Sequence, residues 1–228
     1  MTRRPRFDGF VLLAGMRTGS NLLEENLNAL DGVTCLGEVF NPSFVGHPGQ
    51  DTLLGVSLAE RDRDPMPLLA GILAQDGLCG FRLFHDHDPR VRAAVLPDPR
   101  IAKIVLTRNP LDSYVSRKIA QSTGQWRLTN VTRRKEAQIT FDGEEFERHL
   151  AVQSAFLDQI DSALQRSGQT AFHLRYDALS DVGVLNGLAS WLGVPARLEA
   201  AVTRLKRQNP GAAIDKVANP DQMRTALA

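Results

Sequence analysis

The sequence predicts an α/β fold in three layers, a central and mostly parallel sheet with helices on both faces. Three observations carry this reading. Short, largely apolar runs at residues 10–14, 77–84 and 100–107 suit strands buried on both sides of a parallel sheet. Stretches with helical spacing stand among them, the clearest at 143–166, where Phe146, Leu150, Val152, Phe156, Leu157, Ile160 and Leu164 recur with that period. Strands and helices alternate along the whole chain with no internal repeat and no linker, as expected of a single domain over residues 1–228.

Taken in order, residues 7–14 read as the first strand and 19–30 as the first helix, with Leu22, Leu23, Leu27 and Leu30 at helical spacing. Residues 33–36 form a short second strand. Residues 37–50 carry several glycines and prolines and read as a loop. Residues 51–63 are poorly patterned, and 64–75 read as a helix with Pro65 near its first turn. A core strand at 77–84 ends at His85-Asp86-His87-Asp88-Pro89, and a short helix follows at 89–96. The strand at 100–107 leads into a helix opened by Pro110, with Asp112 in its first turn. Residues 123–142 are polar and irregular, in keeping with a substrate-facing insert. A strand at 170–176 and a helix at 177–192 follow, the latter ended by Gly193 and Pro195. From Leu198 the tail is basic and then loses its pattern.

The chain has 228 residues, enough for a substantial core, and a net charge of +1 from 27 basic and 26 acidic residues. Nothing in that balance points to nucleic acid. Two cysteines, Cys35 and Cys79, make neither a disulfide framework nor a metal site. The apolar run after the basic N-terminus is short and is interrupted by Arg17, unlike a membrane span or a signal peptide. A cytoplasmic protein is expected.

The chemistry is concentrated at the turn Gly15-Met16-Arg17-Thr18-Gly19-Ser20. A strand, a Gly-containing turn and a helix start put unpaired backbone N–H groups and the positive end of the helix dipole at one place, which suits an anion. Gly19 allows close approach, Arg17 supplies a planar charged fork, and Thr18, Ser20 and Asn21 supply neutral donors. The turn is not a Walker A loop: the glycines are one residue too close and the Lys-Ser/Thr pair is missing. It reads as a phosphate cradle that needs no metal. A second anion site follows the strand at 100–107, where Arg108 supplies bidentate binding and Ser116, two helical turns on, one more donor. Taken singly, an ordinary βα turn, an Arg108–Asp112 salt bridge and a Ser116 packed between helices explain the same residues.

Together, the strand into Arg17-Thr18-Gly19-Ser20-Asn21-Leu22-Leu23 and the later strand into Arg108 with Ser116 resemble the sulfotransferases that use 3′-phosphoadenosine 5′-phosphosulfate (PAPS), with product PAP. The resemblance implies a P-loop-like three-layer fold. It also implies that the first loop holds the 5′-phosphosulfate and that Arg108 and Ser116 hold the 3′-phosphate. Gly37-Glu38-Val39-Phe40-Asn41-Pro42 resembles the acidic loop of bacterial carbohydrate sulfotransferases of the trehalose and nodulation-factor type. Arg175-Tyr176-Asp177 resembles the family's strand end near the adenosine, and the segment holding Lys206 and Gln208 resembles the basic segment that closes over the cofactor, making the region from about 198 a covering tail. Two features depart from the pattern. Arg17 stands where many members, the animal cytosolic ones above all, have Lys, and the insert at 123–142 matches nothing in the family.

Sulfuryl transfer needs positioning, charge neutralisation and a base for the acceptor's proton. The resemblance gives the first task to Arg17 and the base to Glu38, with His85 and His87 as competitors for the base. It implies a hydroxyl acceptor on a carbohydrate or glycolipid; no metal is expected, and a homodimer is a further expectation. Two other readings remain open at this stage: a kinase-like NTPase, and a PAP-binding module without turnover.

Overall fold

The computed structural model describes residues 6–202, 204–205 and 208–227. In chain order the elements are β1 (Gly9–Ala14), α1 (Ser20–Leu27), β2 (Val33–Cys35), the hairpin β3 (Thr52–Leu53) and β4 (Val56–Ser57), α2 (Leu58–Arg63), α3 (Met66–Leu73), β5 (Leu78–Leu83), α4 (Pro89–Val95), β6 (Ile101–Thr107), α5 (Pro110–Thr123), α6 (Gly143–Ser167), β7 (Phe172–Arg175), α7 (Val182–Trp191) and α8 (Pro220–Ala226).

The fold is α/β, with a parallel five-stranded sheet in the order β2-β5-β1-β6-β7 and helices on both faces. β1 lies at its centre and every residue of it is buried, as its unbroken apolar run requires. Alternate side chains of β1 enter opposite layers. Phe10, Leu12 and Ala14 pack with Leu23 and Leu27 of α1 and with Leu185 and Leu188 of α7. Val11 and Leu13 pack with Leu68 and Ile72 of α3, Val91 of α4 and Phe156 and Ile160 of α6. Each fully buried Val, Leu, Ile or Phe among these contributes about 2 kcal/mol of transfer free energy. Leu13 is in register with Leu83 of β5 and with Val105 of β6, so the turns after these three strands emerge along one edge. Ligands of open parallel sheets sit along that edge.

A third apolar cluster lies outside the two main layers. Tyr114, Val115 and Ile119 of α5 meet Ile139 and Phe141 of the insert, Phe146 of α6, and Ala213, Val217 and Met223 of the tail. Insert and tail are joined directly, since Ile139 N donates to Lys216 O and Ala218 N to Ile139 O.

Three expectations need correction. Residues 51–63 are not patternless: they hold the hairpin and α2, which starts with a capping box in which Ser57 Oγ accepts from Glu60 N and the Glu60 carboxylate accepts from Ser57 N. The helix expected at 177–192 is divided. A 3₁₀ turn, Tyr176–Ser180, precedes α7, because the Asp181 carboxylate accepts from the Gly183 and Val184 amides and starts a new helix. The tail regains structure in α8, anchored by Met223. Among the described residues, no helix is long and apolar enough to cross a membrane.

Candidate functional site: two arginines and a held carboxylate in one cavity

A cavity of about 490 Å³ opens at the sheet edge where β1, β5 and β6 end. It is lined from several separate stretches of chain: the β1–α1 turn, the loop after β2, the ends of β5 and β6, α5, the insert and the tail.

One end of the cavity is cationic. Arg17 has a left-handed backbone (φ 64°), which costs a non-glycine residue about 1 kcal/mol, and each of its three guanidinium nitrogens donates one hydrogen bond. Its Nε donates to Ser116 Oγ (3.0 Å), its Nη1 to the Trp126 carbonyl (2.7 Å) and its Nη2 to the Gln208 side-chain oxygen. Its own carbonyl accepts from Arg108 Nη1 at 2.9 Å. The Arg108 guanidinium lies over the Tyr176 ring, 4.2 Å from the centroid, a cation–π contact. Burial, and then the charge of Arg108, lower the Arg17 guanidinium to about 10, while Tyr176 acts in the opposite sense. A guanidinium lowered by burial and by a neighbouring cation is the electrostatic signature of a place that favours an anion.

Gly19 makes this end possible. Its φ is 94°, and a Cβ added there would lie 2.7 Å from the Tyr176 ring and 2.9 Å from Leu179. The glycine lets the β1–α1 turn close onto Tyr176 while α1 begins, its carbonyl accepting from the Leu22 and Leu23 amides.

The other end is organised by Glu38, in the loop after β2. That loop closes on itself, Glu38 N donating to Gly46 O (2.7 Å) and Gly46 N to Glu38 O (3.2 Å). Buried Arg61 of α2 stitches it from behind, its Nη1 donating to the carbonyls of Val39, Asn41 and Phe44. The Glu38 carboxylate is held on both oxygens. Oε1 lies 3.2 Å from Arg82 Nη1; Oε2 accepts from Asn41 Nδ2 (2.8 Å) and faces His87 Nε2 at 3.5 Å. Burial works against ionisation of Glu38, yet the His87 and Asn41 contacts and the Arg82 charge prevail and hold its carboxyl below the ordinary range.

Arg82 also ties Glu38 to a second carboxylate. Its Nε lies 2.7 Å from Glu24 Oε2, and its Nη1 donates to Ser20 Oγ at 3.3 Å. Glu24 Oε1 in turn faces His47 Nε2 at 3.5 Å. Burial raises the Glu24 carboxyl above its usual value against the pull of Arg82 and Arg127, and burial lowers the His47 imidazole. Two glutamates that share one buried arginine are therefore pushed in opposite directions.

Of the residues singled out from sequence, Arg17, Gly19, Ser20, Asn21, Glu38, Arg108, Ser116, Tyr176 and Gln208 all line this cavity. Thr18 does not: its hydroxyl is spent inside the turn, donating to Gly15 O at 2.7 Å. His87 is buried behind Glu38 instead of facing the cavity. His85 belongs elsewhere. It lines a smaller cavity of about 180 Å³ with Arg117, Glu145, His149 and Gln153, because the chain turns sharply after β5 and sends the two histidines to different sides. Lys206 lies outside the described residues. Arg108 makes the contacts with the Arg17 carbonyl and the Tyr176 ring described above, and Ser116 Oγ accepts from both Arg17 and Asn209.

Sequence reasoning missed Arg82, Glu24, Asn41, Trp126 and Asn209. Arg82 did carry a signal, as a lone charge inside an otherwise apolar strand. Glu24 carried none, being one of two adjacent glutamates on a short helix. No protein-family model matches the chain, and no curated protein matches it.

Proposed function

We propose that the protein is a PAPS-dependent sulfotransferase that acts on a hydroxyl of a carbohydrate or glycolipid. The observation that carries this reading is the convergence of Arg17 and Arg108, from separate strand ends, in a cavity that Glu38 also faces. The residues fit the cofactor. Arg17, lowered by burial and by the charge of Arg108, asks for an anion, Ser116 and the first turn of α1 add donors, and Tyr176 offers a ring beside Arg108. Arg17, Gly19, Ser20 and Asn21 would hold the phosphosulfate end and Arg108 with Ser116 the 3′-phosphate, while Gln208 of the tail closes onto Arg17.

Bound PAPS would supply an electrophilic sulfuryl group for the acceptor oxygen, with PAP as the leaving group. The protein's part is to position and neutralise. Arg17 offers its cation where charge accumulates. Glu38, kept ionised by Arg82, Asn41 and His87, takes the proton from the acceptor hydroxyl. Trp126 and Phe44 line the same cavity and offer apolar faces to a sugar ring.

A magnesium-dependent kinase reading is less well supported by the same residues. In such loops the hydroxyl at the helix start holds the cation. Here Ser20 Oγ accepts from the buried Arg82 guanidinium, which disfavours a metal cation at that oxygen. The test is transfer of radiolabelled sulfate from PAPS to a panel of saccharides and glycolipids in EDTA. Labelled product supports the proposal, and PAP binding without any product across the panel favours the module that has no turnover.

A further inference from the structure

A carboxylate base has to be aimed, and its proton has to go somewhere. His87 bears on both. It sits in the turn that follows β5, and its side chain has 0% exposure. The ring stacks on Phe84 with centroids 4.9 Å apart. Its Nδ1 accepts the backbone N–H of Phe84 at 3.2 Å. An imidazole nitrogen that accepts a hydrogen bond carries no proton, so the ring's proton resides on Nε2. Nε2 is the atom that faces Glu38 Oε2, at 3.5 Å. The other groups around Glu38 are Arg82 of β5, Asn41 of its own loop, and, through Arg82, Glu24 of α1 with His47.

We propose that His87 is a positioning residue for Glu38: a neutral Nε2–H donor, locked in one tautomer by the Phe84 amide, that holds the carboxylate and does not take its proton. The proposal rests on the reading of Glu38 as the base. A proton passed from Glu38 to His87 has no vacant nitrogen to receive it. Nε2 already bears one, and Nδ1 is occupied by the Phe84 N–H inside a site closed to water. Glu38, with 16% side-chain exposure, does reach the cavity, so the proton it collects leaves there to water. The histidine thus works in the opposite sense to a histidine that serves as a catalytic base.

Two NMR measurements and one kinetic one test this. In ¹⁵N-histidine-labelled wild-type protein at pH 7.5, with the signals assigned by their loss in His87→Gln, the His87 ring is expected to show a protonated Nε2 and a bare Nδ1. A protonated Nδ1, or a doubly protonated ring, overturns the proposal. In ¹³C-glutamate-labelled protein the Glu38 carboxylate is titrated, with Glu38→Gln for assignment. His87→Phe keeps the stacking and removes the donor, so the Glu38 midpoint is expected to rise. His87→Gln, which can still donate, is expected to stay nearer wild type. An unchanged midpoint in His87→Phe overturns the proposal, and if that variant does not fold, the tautomer measurement on wild type still decides. In turnover, His87→Phe is expected to lower kcat about tenfold at pH 6 and to leave the acceptor KM in place. The NMR readouts do not depend on turnover, so their failure is distinct from failure of the sulfotransferase reading, which appears as no transfer by any variant.

Discussion

Arg17 Nε donates to Ser116 Oγ at 3.0 Å, joining the turn after β1 to the middle of α5 across 99 positions of sequence. Arg108 closes the same junction from the end of β6 by donating to the Arg17 carbonyl. The cationic end of the cavity is therefore one assembled unit. Arg108→Ala removes a proposed phosphate partner and the group that donates to the Arg17 carbonyl. The expected outcome is a loss of PAP affinity of at least tenfold with no loss of fold, measured by titration calorimetry beside circular dichroism.

Gly19 has no room for a side chain. Gly19→Ala places a Cβ against the Tyr176 ring in a conformation with φ of 94°, so the turn must open or Tyr176 must move. A loss of about 1–3 kcal/mol in urea unfolding is expected, together with weakened PAP binding, because Tyr176 carries Arg108 on its face. Wild-type stability in Gly19→Ala would show that this close approach has no energetic weight.

The bridge between the two glutamates predicts unequal costs. Glu24→Gln takes a charge from buried Arg82, and breaking such a pair costs about 3 kcal/mol. Glu38→Gln removes the proposed base from a site with 16% side-chain exposure, so activity falls at least a hundredfold while the melting temperature changes less than in Glu24→Gln. Parallel melting and sulfate-transfer assays separate the two. Equal loss of activity without destabilisation in Glu24→Gln would contradict the assignment of roles.

Lys103 provides a pH test away from the site. It is buried in β6, where it donates to Asp98 O and to the Gln169 side chain. Burial, partly offset by Asp98, lowers its ammonium from 10.5 to about 8. Between those values the unfolded chain binds more protons at this position than the folded one, so the Lys103 contribution to stability rises with pH across that window and is smallest below it. Urea unfolding at pH 7 and at pH 9.5 should therefore show wild type gaining on Lys103→Met as the pH rises. A gap that is the same at both pH values would remove the effect.

The parallel sheet was legible because β1, β5 and β6 are buried on both faces and so read as continuous apolar runs. The order β2-β5-β1-β6-β7 was not, since nothing local in a strand names its neighbours. The cationic end was legible because its arginines and hydroxyls fall at strand ends, where turn residues and arginines stand out. The carboxylate end was half legible. Glu38 was visible in a glycine- and proline-rich loop, whereas Arg82 and Glu24 meet it through the tertiary fold. Arg61 shows the difficulty plainly. Within Glu60-Arg61-Asp62-Arg63 it looks like solvated surface, yet it is 1% exposed and satisfies three carbonyls of the Glu38 loop. The Ser57–Glu60 capping box was present in the sequence and passed over because the segment before it lacks periodicity. Thr18 looked like a ligand donor by its type alone, and its hydroxyl is instead taken by the turn.

The measurement that bears most directly on the central claim is the melting temperature of the purified protein with PAP in EDTA, beside Mg-ATP, for wild type and Arg108→Ala. A ligand that binds the folded state alone raises the melting temperature by mass action, by about 2.7 kcal/mol of stabilisation at one hundred times its Kd. The account predicts a shift with PAP that needs no metal and disappears in Arg108→Ala. A shift with Mg-ATP and none with PAP would contradict it, and would give the Arg17–Arg108 cavity to a nucleoside triphosphate.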